Sequence, residues 1–149
     1  MTDRDIRERN NHIDVIDYGP TTPTVAPPLA QARVAIVTTA GLRPDGIGTW
    51  SEGQGFTILA HADHHVTVAH ASANFDRAGV AADLNVVYPI DRLDELAAQG
   101  RIGSVASRHL SFMGAQLDHT FTTLRLDTGP AAAKLLIADE VDVVVLTPV

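Results

Sequence analysis

Seven histidines and no cysteine bound the chemistry open to this 149-residue chain. Without a thiol there is no disulfide, no thiolate zinc site, no iron–sulfur cluster and no cysteine nucleophile within it. His61, His64, His65 and His70 fall close together, and imidazole suits zinc or nickel. Strand geometry puts His64 and His65 on opposite faces, however, and the spacing matches no common zinc pattern, so no metal is expected. His70 ends a short strand candidate and could act as a general acid or base; a purely structural histidine is the competing reading. The run Gly46-Ile47-Gly48-Thr49-Trp50-Ser51 approaches a dinucleotide fingerprint. Ser51 stands where the third glycine belongs and no helical pattern opens there, so a flexible loop is expected.

The composition excludes other chemistries. Eleven basic residues against eighteen acidic give a net charge of −7, and Lys134 is the sole lysine. Phosphate backbones need clustered Lys and Arg, so nucleic acid is not an expected partner. The longest apolar runs, Val34 to Val37 and Val143 to Leu146, are far too short to cross a bilayer. The charged start Met1-Thr2-Asp3-Arg4-Asp5 has no apolar core and does not look like a secretory signal. A cytoplasmic protein is the expectation.

The elements that would position these residues can be read along the chain. Residues 1–32, with Pro20, Pro23, Pro27 and Pro28, read as an extended arm. Arg33 to Thr39 is a β-branched run without alternation, as in a parallel strand covered on both faces. Short strands are expected over His65 to His70 and Asn85 to Tyr88. The clearest helix follows Pro89, with Asp91 as cap, Ile90, Leu93, Leu96 and Ala97 on one face and Gly100 as a left-handed stop. Residues 102–116 have no clean period and read as irregular, with strand pieces around Ile102 to Ala106. A second helix opens near Thr128-Gly129-Pro130, carries Ala132, Leu135 and Leu136 as its buried stripe, and ends near Glu140. Val141 to Leu146 then reads as a buried strand. Strands alternating with helices indicate one α/β domain over residues 33–149 with a mostly parallel sheet. Ligands gather beyond the carboxyl ends of such strands, and the sequence closes at one of them.

Several ordered motifs carry a resemblance. They are Phe75-Asp76-Arg77, then Asp83-Leu84-Asn85-Val86-Val87-Tyr88-Pro89-Ile90-Asp91-Arg92-Leu93, then Gly103-Ser104-Val105-Ala106 and Arg108-His109-Leu110-Ser111-Phe112-Met113-Gly114. Together with Val34 to Gly41 they resemble the selenoprotein B subunits of glycine, sarcosine, betaine and D-proline reductases, over about three-quarters of the chain.

That resemblance implies an oxidoreductase subunit that reductively cleaves a carbon–nitrogen bond of a small amino acid or amine. It also implies a partner subunit bearing a carbonyl group, a dithiol or redox-protein electron donor, and an oligomeric assembly. The family's selenocysteine or cysteine follows a strand ending in a Leu-Thr-Pro-like segment; here that segment is Leu146-Thr147-Pro148, and Val149 is the last residue. The expectation is therefore that the chain stops just before its catalytic residue, at an in-frame UGA codon or an experimental truncation. A degenerate relative ending naturally at this point is the alternative. No other cofactor is expected. Within the matching motifs, Asp76 and Arg77 could orient a charged substrate or form a local ion pair. His109 and Ser111 could line the cleft or belong to a packed loop. The competing function is a non-catalytic binding or scaffolding module of the same fold. The substrate is not specified by these residues.

Overall fold

The computed structural model describes residues 2, 4–5, 8, 11–12, 19–20, 22, 24–47, 50, 55–63, 65–72, 75–114, 116 and 118–149. Its framework is strand β1, Arg33–Thr38, whose two flanks are both occupied. Along one flank runs β7, Val143–Thr147, parallel and in register from Val34↔Val143 to Thr38↔Thr147. Along the other, β5 (Ser104–Val105) and β6 (Arg108–Phe112) follow one another, β5 pairing at Arg33 and Val34 and β6 at Val37 and Thr38. Beyond β6 lies β3, Phe56–Ala60, antiparallel in the register Leu59↔His109. A separate two-stranded ribbon joins β2, Leu42–Pro44, to β4, Val66–Val68. The result is a single α/β domain with a mixed, mostly parallel sheet.

Two apolar layers hold helices to this sheet. On one face Val34, Ile36 and Leu59 pack with Val87, Tyr88 and with Ile90 and Leu93 of helix α2, Ile90–Ala98; Val80 of the short helix α1, Ala78–Ala82, joins them. On the other, Ala35, Ala106 and Leu110 meet Ala132 and Leu136 of helix α4, Gly129–Ala138. Each buried Val, Leu or Ile side chain taken from water contributes on the order of 1.5–3 kcal/mol, which favours these stripes over any single polar contact. α2 stops as its sequence suggests, with Gly100 at φ 67°. Its start differs from the expected Asp91 cap: Asn85 lies outside the helix and bonds Asp91 through both its backbone N–H (3.2 Å) and its carboxylate (2.8 Å).

Three local expectations are corrected and one is extended. Residues 85–88 form no strand; Leu84–Val86 is a 3₁₀ turn, because the Asp83 carboxylate accepts the Asn85 N–H at 2.9 Å and Pro89 follows. The strand piece expected around Ile102 to Ala106 is present as β5, but residues 108–112, read as irregular, form the inner strand β6, whose apolar period is blurred because both faces are covered. The helix near Gly129 is preceded by helix α3, Asp118–Thr123, and a π-helical stretch, Leu124–Thr128. Pro130 has no N–H and its ring would strike the Leu126 carbonyl in a regular helix, so the ladder widens and Gly129 N–H donates to Leu124 O. Finally, β7 is not fully buried: α4 covers β1 and β6, leaving Val144 36% and Leu146 70% exposed at the sheet edge.

Residues 29–32 are fastened to the domain through Gly103, whose N–H donates to Leu29 O (2.9 Å) and Ala32 O (3.0 Å). A Cβ on Gly103 would stand 2.5 Å from the Gln31 backbone carbon, whereas one on Gly79 of α1 would meet nothing within 4 Å. Gly103→Ala is therefore expected to cost about 1–3 kcal/mol of unfolding free energy by overpacking. Gly79→Ala should instead leave stability unchanged or raise it by up to about 1 kcal/mol. Urea denaturation of the two variants checks this, and equal midpoints would contradict the docking of the 29–32 turn.

Candidate active site at the carboxyl edge of the sheet

The carboxyl ends of β1, β6 and β7 meet at one edge, where the segments leaving them are laced together. Thr39 N–H donates to Thr147 O at 3.2 Å and so prolongs the β1–β7 ladder. On the opposite flank Gly114 N–H donates to Thr39 O and Gly41 N–H to Phe112 O, each at 2.9 Å. Ala40 bridges Met113 between them. The Thr39 hydroxyl then accepts the Val149 N–H at 2.9 Å and donates to the Val149 backbone oxygen at 3.3 Å.

A cleft of about 350 Å³ opens beside this edge. β6 and its following turn contribute Phe112, Met113, Gly114 and Gln116; the α3–π helix contributes Phe121 and Leu124; Thr39 and Val149 complete the lining. No charged side chain is among these residues. Rings, a thioether and methyl groups exclude water and fit the apolar body of a small ligand, while Gln116 is the polar handle and the Thr39 hydroxyl is taken up by Val149. Gln116 is steadied by donating to Met113 O at 2.5 Å.

His70 lies directly behind Gly114. It is 5% exposed, and its Nδ1 accepts the Ser72 N–H at 3.2 Å, which leaves the proton of the neutral ring on Nε2. That Nε2 is buried without a hydrogen-bond partner among the described residues and lies 3.0 Å from where a Gly114 Cβ would stand. Phe75 stacks on the ring at 4.3 Å, and Arg77 donates to His70 O at 2.6 Å. Burial, and secondarily the Arg77 charge, hold the His70 pKa below its ordinary value. Gly41, at φ 64°, lets the chain turn back past His70, whose Cα would be 3.0 Å from any Cβ added there. Asp76 is exposed, and its carboxylate accepts the Ala78 N–H at 2.8 Å, at the entry to α1.

The other two candidates sit inside the sheet. Ser111 Oγ accepts the Leu42 N–H at 2.7 Å. His109 is fully buried, and its Nδ1 accepts the Ile36 N–H at 3.0 Å in the interval where β5 gives way to β6. Its ring meets Tyr88 edge-on at 5.6 Å and His61 at 5.8 Å. Burial, then the neighbouring His61, push the His109 pKa down to about 4. Burial likewise raises that of Tyr88, with Asp94 and Asp63 adding to it. Of the histidines weighed as metal ligands, His61 Nε2 pairs with Asp94 at 3.3 Å, His65 is exposed, and His64 lies outside the described residues. Gly48, Thr49 and Ser51 of the glycine-rich run also lie outside them. The sequence did not single out Thr39, Gln116, Phe121 or Leu124. A signal existed for Thr39 alone, which directly follows the first parallel strand at its carboxyl end.

The sequence model of the glycine/sarcosine/betaine reductase selenoprotein B family matches residues 9–149. The chain belongs to this family. A curated relative, the D-proline reductase subunit gamma of Acetoanaerobium sticklandii, is 30% identical over 143 residues, covering 87% of this chain and 56% of the relative. The chain thus spans about half the length of that protein. No solved structure matches. Two of the motifs that carry the resemblance reach the edge just described: Phe75 and Arg77 hold His70, and Phe112, Met113 and Gly114 line the cleft, whereas Gly103 to Val105 pair at the amino end of β1. No helix among the described residues is long and apolar enough to cross a membrane.

The His109 geometry has a pH signature. Its folded pKa of about 4 lies below the ordinary 6.5, so the unfolded chain binds more protons between those values. Stability is then complete above about pH 6.5 and falls as the pH drops toward 4, by up to about 3 kcal/mol. Asp83 and Asp139, whose pKa values are lowered by hydrogen bonds from Asn85 and Arg108, add acid losses at still lower pH. Urea midpoints at pH 7 and pH 4.5 should differ in the wild type and much less in His109→Asn. A flat wild-type profile would refute the assignment of Nδ1 as the Ile36 acceptor.

Proposed function

We propose that this chain builds the sheet and cleft of a reductase subunit that reductively cleaves the carbon–nitrogen bond of a small amino acid or amine. The observation that carries this is the fastening of Val149 by Thr39 at the mouth of an apolar cleft lined by the family motif Phe112-Met113-Gly114. The selenol or thiol of such a subunit, presented beside Val149, supplies a soft nucleophile that is active as its anion. The chain's own residues do the rest. Phe112, Met113, Phe121 and Leu124 take up the methylenes of the substrate and keep water out. Gln116 offers hydrogen bonds at its polar end, and His70 keeps an Nε2–H donor behind Gly114.

The reaction balances as breakage of one carbon–nitrogen bond, with two electrons and two protons drawn from a dithiol that becomes a disulfide. The substrate amine is activated on a carbonyl-bearing partner subunit. The name of the relative, a subunit of D-proline reductase, supports both the multi-subunit setting and the substrate class.

The test is to express the gene in a host that recodes UGA, together with its partner subunits, and to assay dithiol-dependent cleavage of D-proline, glycine, sarcosine and betaine. Turnover of at least one is expected. Inactivity with all four would sink the proposal in favour of a non-catalytic module. In the active assembly, Phe121→Asp places a charge in the cleft and is expected to lower kcat/KM about tenfold or more. Phe121 is partly exposed, so the unfolding midpoint should barely move.

A further inference from the structure

Thr39 occupies a position in the hydrogen-bond pattern that a backbone group would ordinarily fill. In a parallel ladder, Thr39 N–H bonded to Thr147 O is followed by a rung from Val149 N–H to Thr39 O. Here that carbonyl is already engaged by Gly114 N–H at 2.9 Å. The Val149 N–H is diverted to the Thr39 hydroxyl at 2.9 Å, and the same hydroxyl reaches the Val149 backbone oxygen at 3.3 Å. One residue therefore joins three strand ends: its own, that of β6 through its backbone carbonyl to Gly114, and that of β7 through its hydroxyl to Val149.

Gly114 closes the arrangement. A Cβ there would stand 2.9 Å from Thr39 O, 3.0 Å from His70 Nε2 and 3.1 Å from the Val149 backbone oxygen. Two of those three atoms are backbone and cannot yield cheaply, so only glycine lets β1, the β6 turn and Val149 approach this closely.

We infer that Thr39 is a positioning residue: its hydroxyl, with Gly114 leaving room for the Val149 backbone oxygen it holds, fixes the direction in which the polypeptide at Val149 faces the cleft. The inference rests on the reductase reading for its catalytic consequence but not for its geometry. A threonine is suited to the task because one hydroxyl both accepts and donates, and its branched Cβ restricts χ1. Serine retains the hydroxyl; valine retains the shape and loses both hydrogen bonds.

The experiment compares Thr39→Val, Thr39→Ser and Gly114→Ala with the unaltered protein by two measurements. The first is amide hydrogen exchange of Val149 in the 149-residue chain. Protection should be lost in Thr39→Val and Gly114→Ala and kept in Thr39→Ser, with slowly exchanging core amides such as that of Leu110 unchanged. The second is steady-state kinetics of the assembled reductase. Thr39→Val should lower kcat by about ten- to a hundredfold while KM stays within about twofold, the signature of misplacement rather than lost binding. Thr39→Ser should recover most of the loss. Continued protection of Val149 in Thr39→Val, full kcat in that variant, or failure of serine to restore it would each overturn the inference. An unaltered assembly inactive on all four substrates would overturn the reductase reading instead, and exchange at Val149 would still decide whether the clamp exists.

Discussion

A central strand must satisfy every backbone donor on both of its flanks, because an unpaired buried amide costs about as much as a lost hydrogen bond. β1 meets this demand in two ways. β7 pairs along its whole length, while β5 and β6 share the other flank with an interval between them. The Ile36 N–H falls in that interval and is satisfied by the imidazole of His109. Everything at the carboxyl edge depends on this substitution, since it lets β6 rejoin β1 at Val37 and carry Phe112, Met113 and Gly114 to the cleft.

Thr39 uses the same device at the strand end, with a side chain standing in for a ladder partner. His109 does so in a dry core, where a single acceptor suffices and charge is unfavourable. Thr39 does so at a half-open rim, where one hydroxyl serves both backbone groups of Val149. The sheet is thus interrupted twice along one strand, and each interruption is filled by a polar side chain of suitable length.

Much of this framework was legible in the sequence. The β-branched run of β1, the amphipathic stripe of α2 and its glycine stop state local preferences that the fold obeys. β6 was not legible, because a strand covered on both faces carries no alternation and its two polar residues, His109 and Ser111, are spent on backbone donors of β1 and β2. The 3₁₀ turn at Leu84–Val86 was hidden by β-branched residues whose preference yields to the Asp83 side chain. The cleft was only partly foreseeable: the family motif pointed to Phe112-Met113-Gly114, but the facing wall comes from a helix whose first half the composition around Phe121 did not announce. Thr39 joins these walls through contacts 110 positions apart, which no local pattern encodes.

The widened turn at Leu124–Thr128 governs how that facing wall is aimed. In an unbroken α-helix, Leu124 would share a face with residue 131, seven places on; one additional residue in the turn shifts the match to Ala132. Phe121 and Leu124 can therefore look into the cleft while Ala132 and Leu136 rest on the sheet below. Shortening this stretch by one residue would straighten the rod and rotate its first half by about 100° about the axis. The aromatic wall would then swing out of phase with the sheet, even though each half of the helix remained intact.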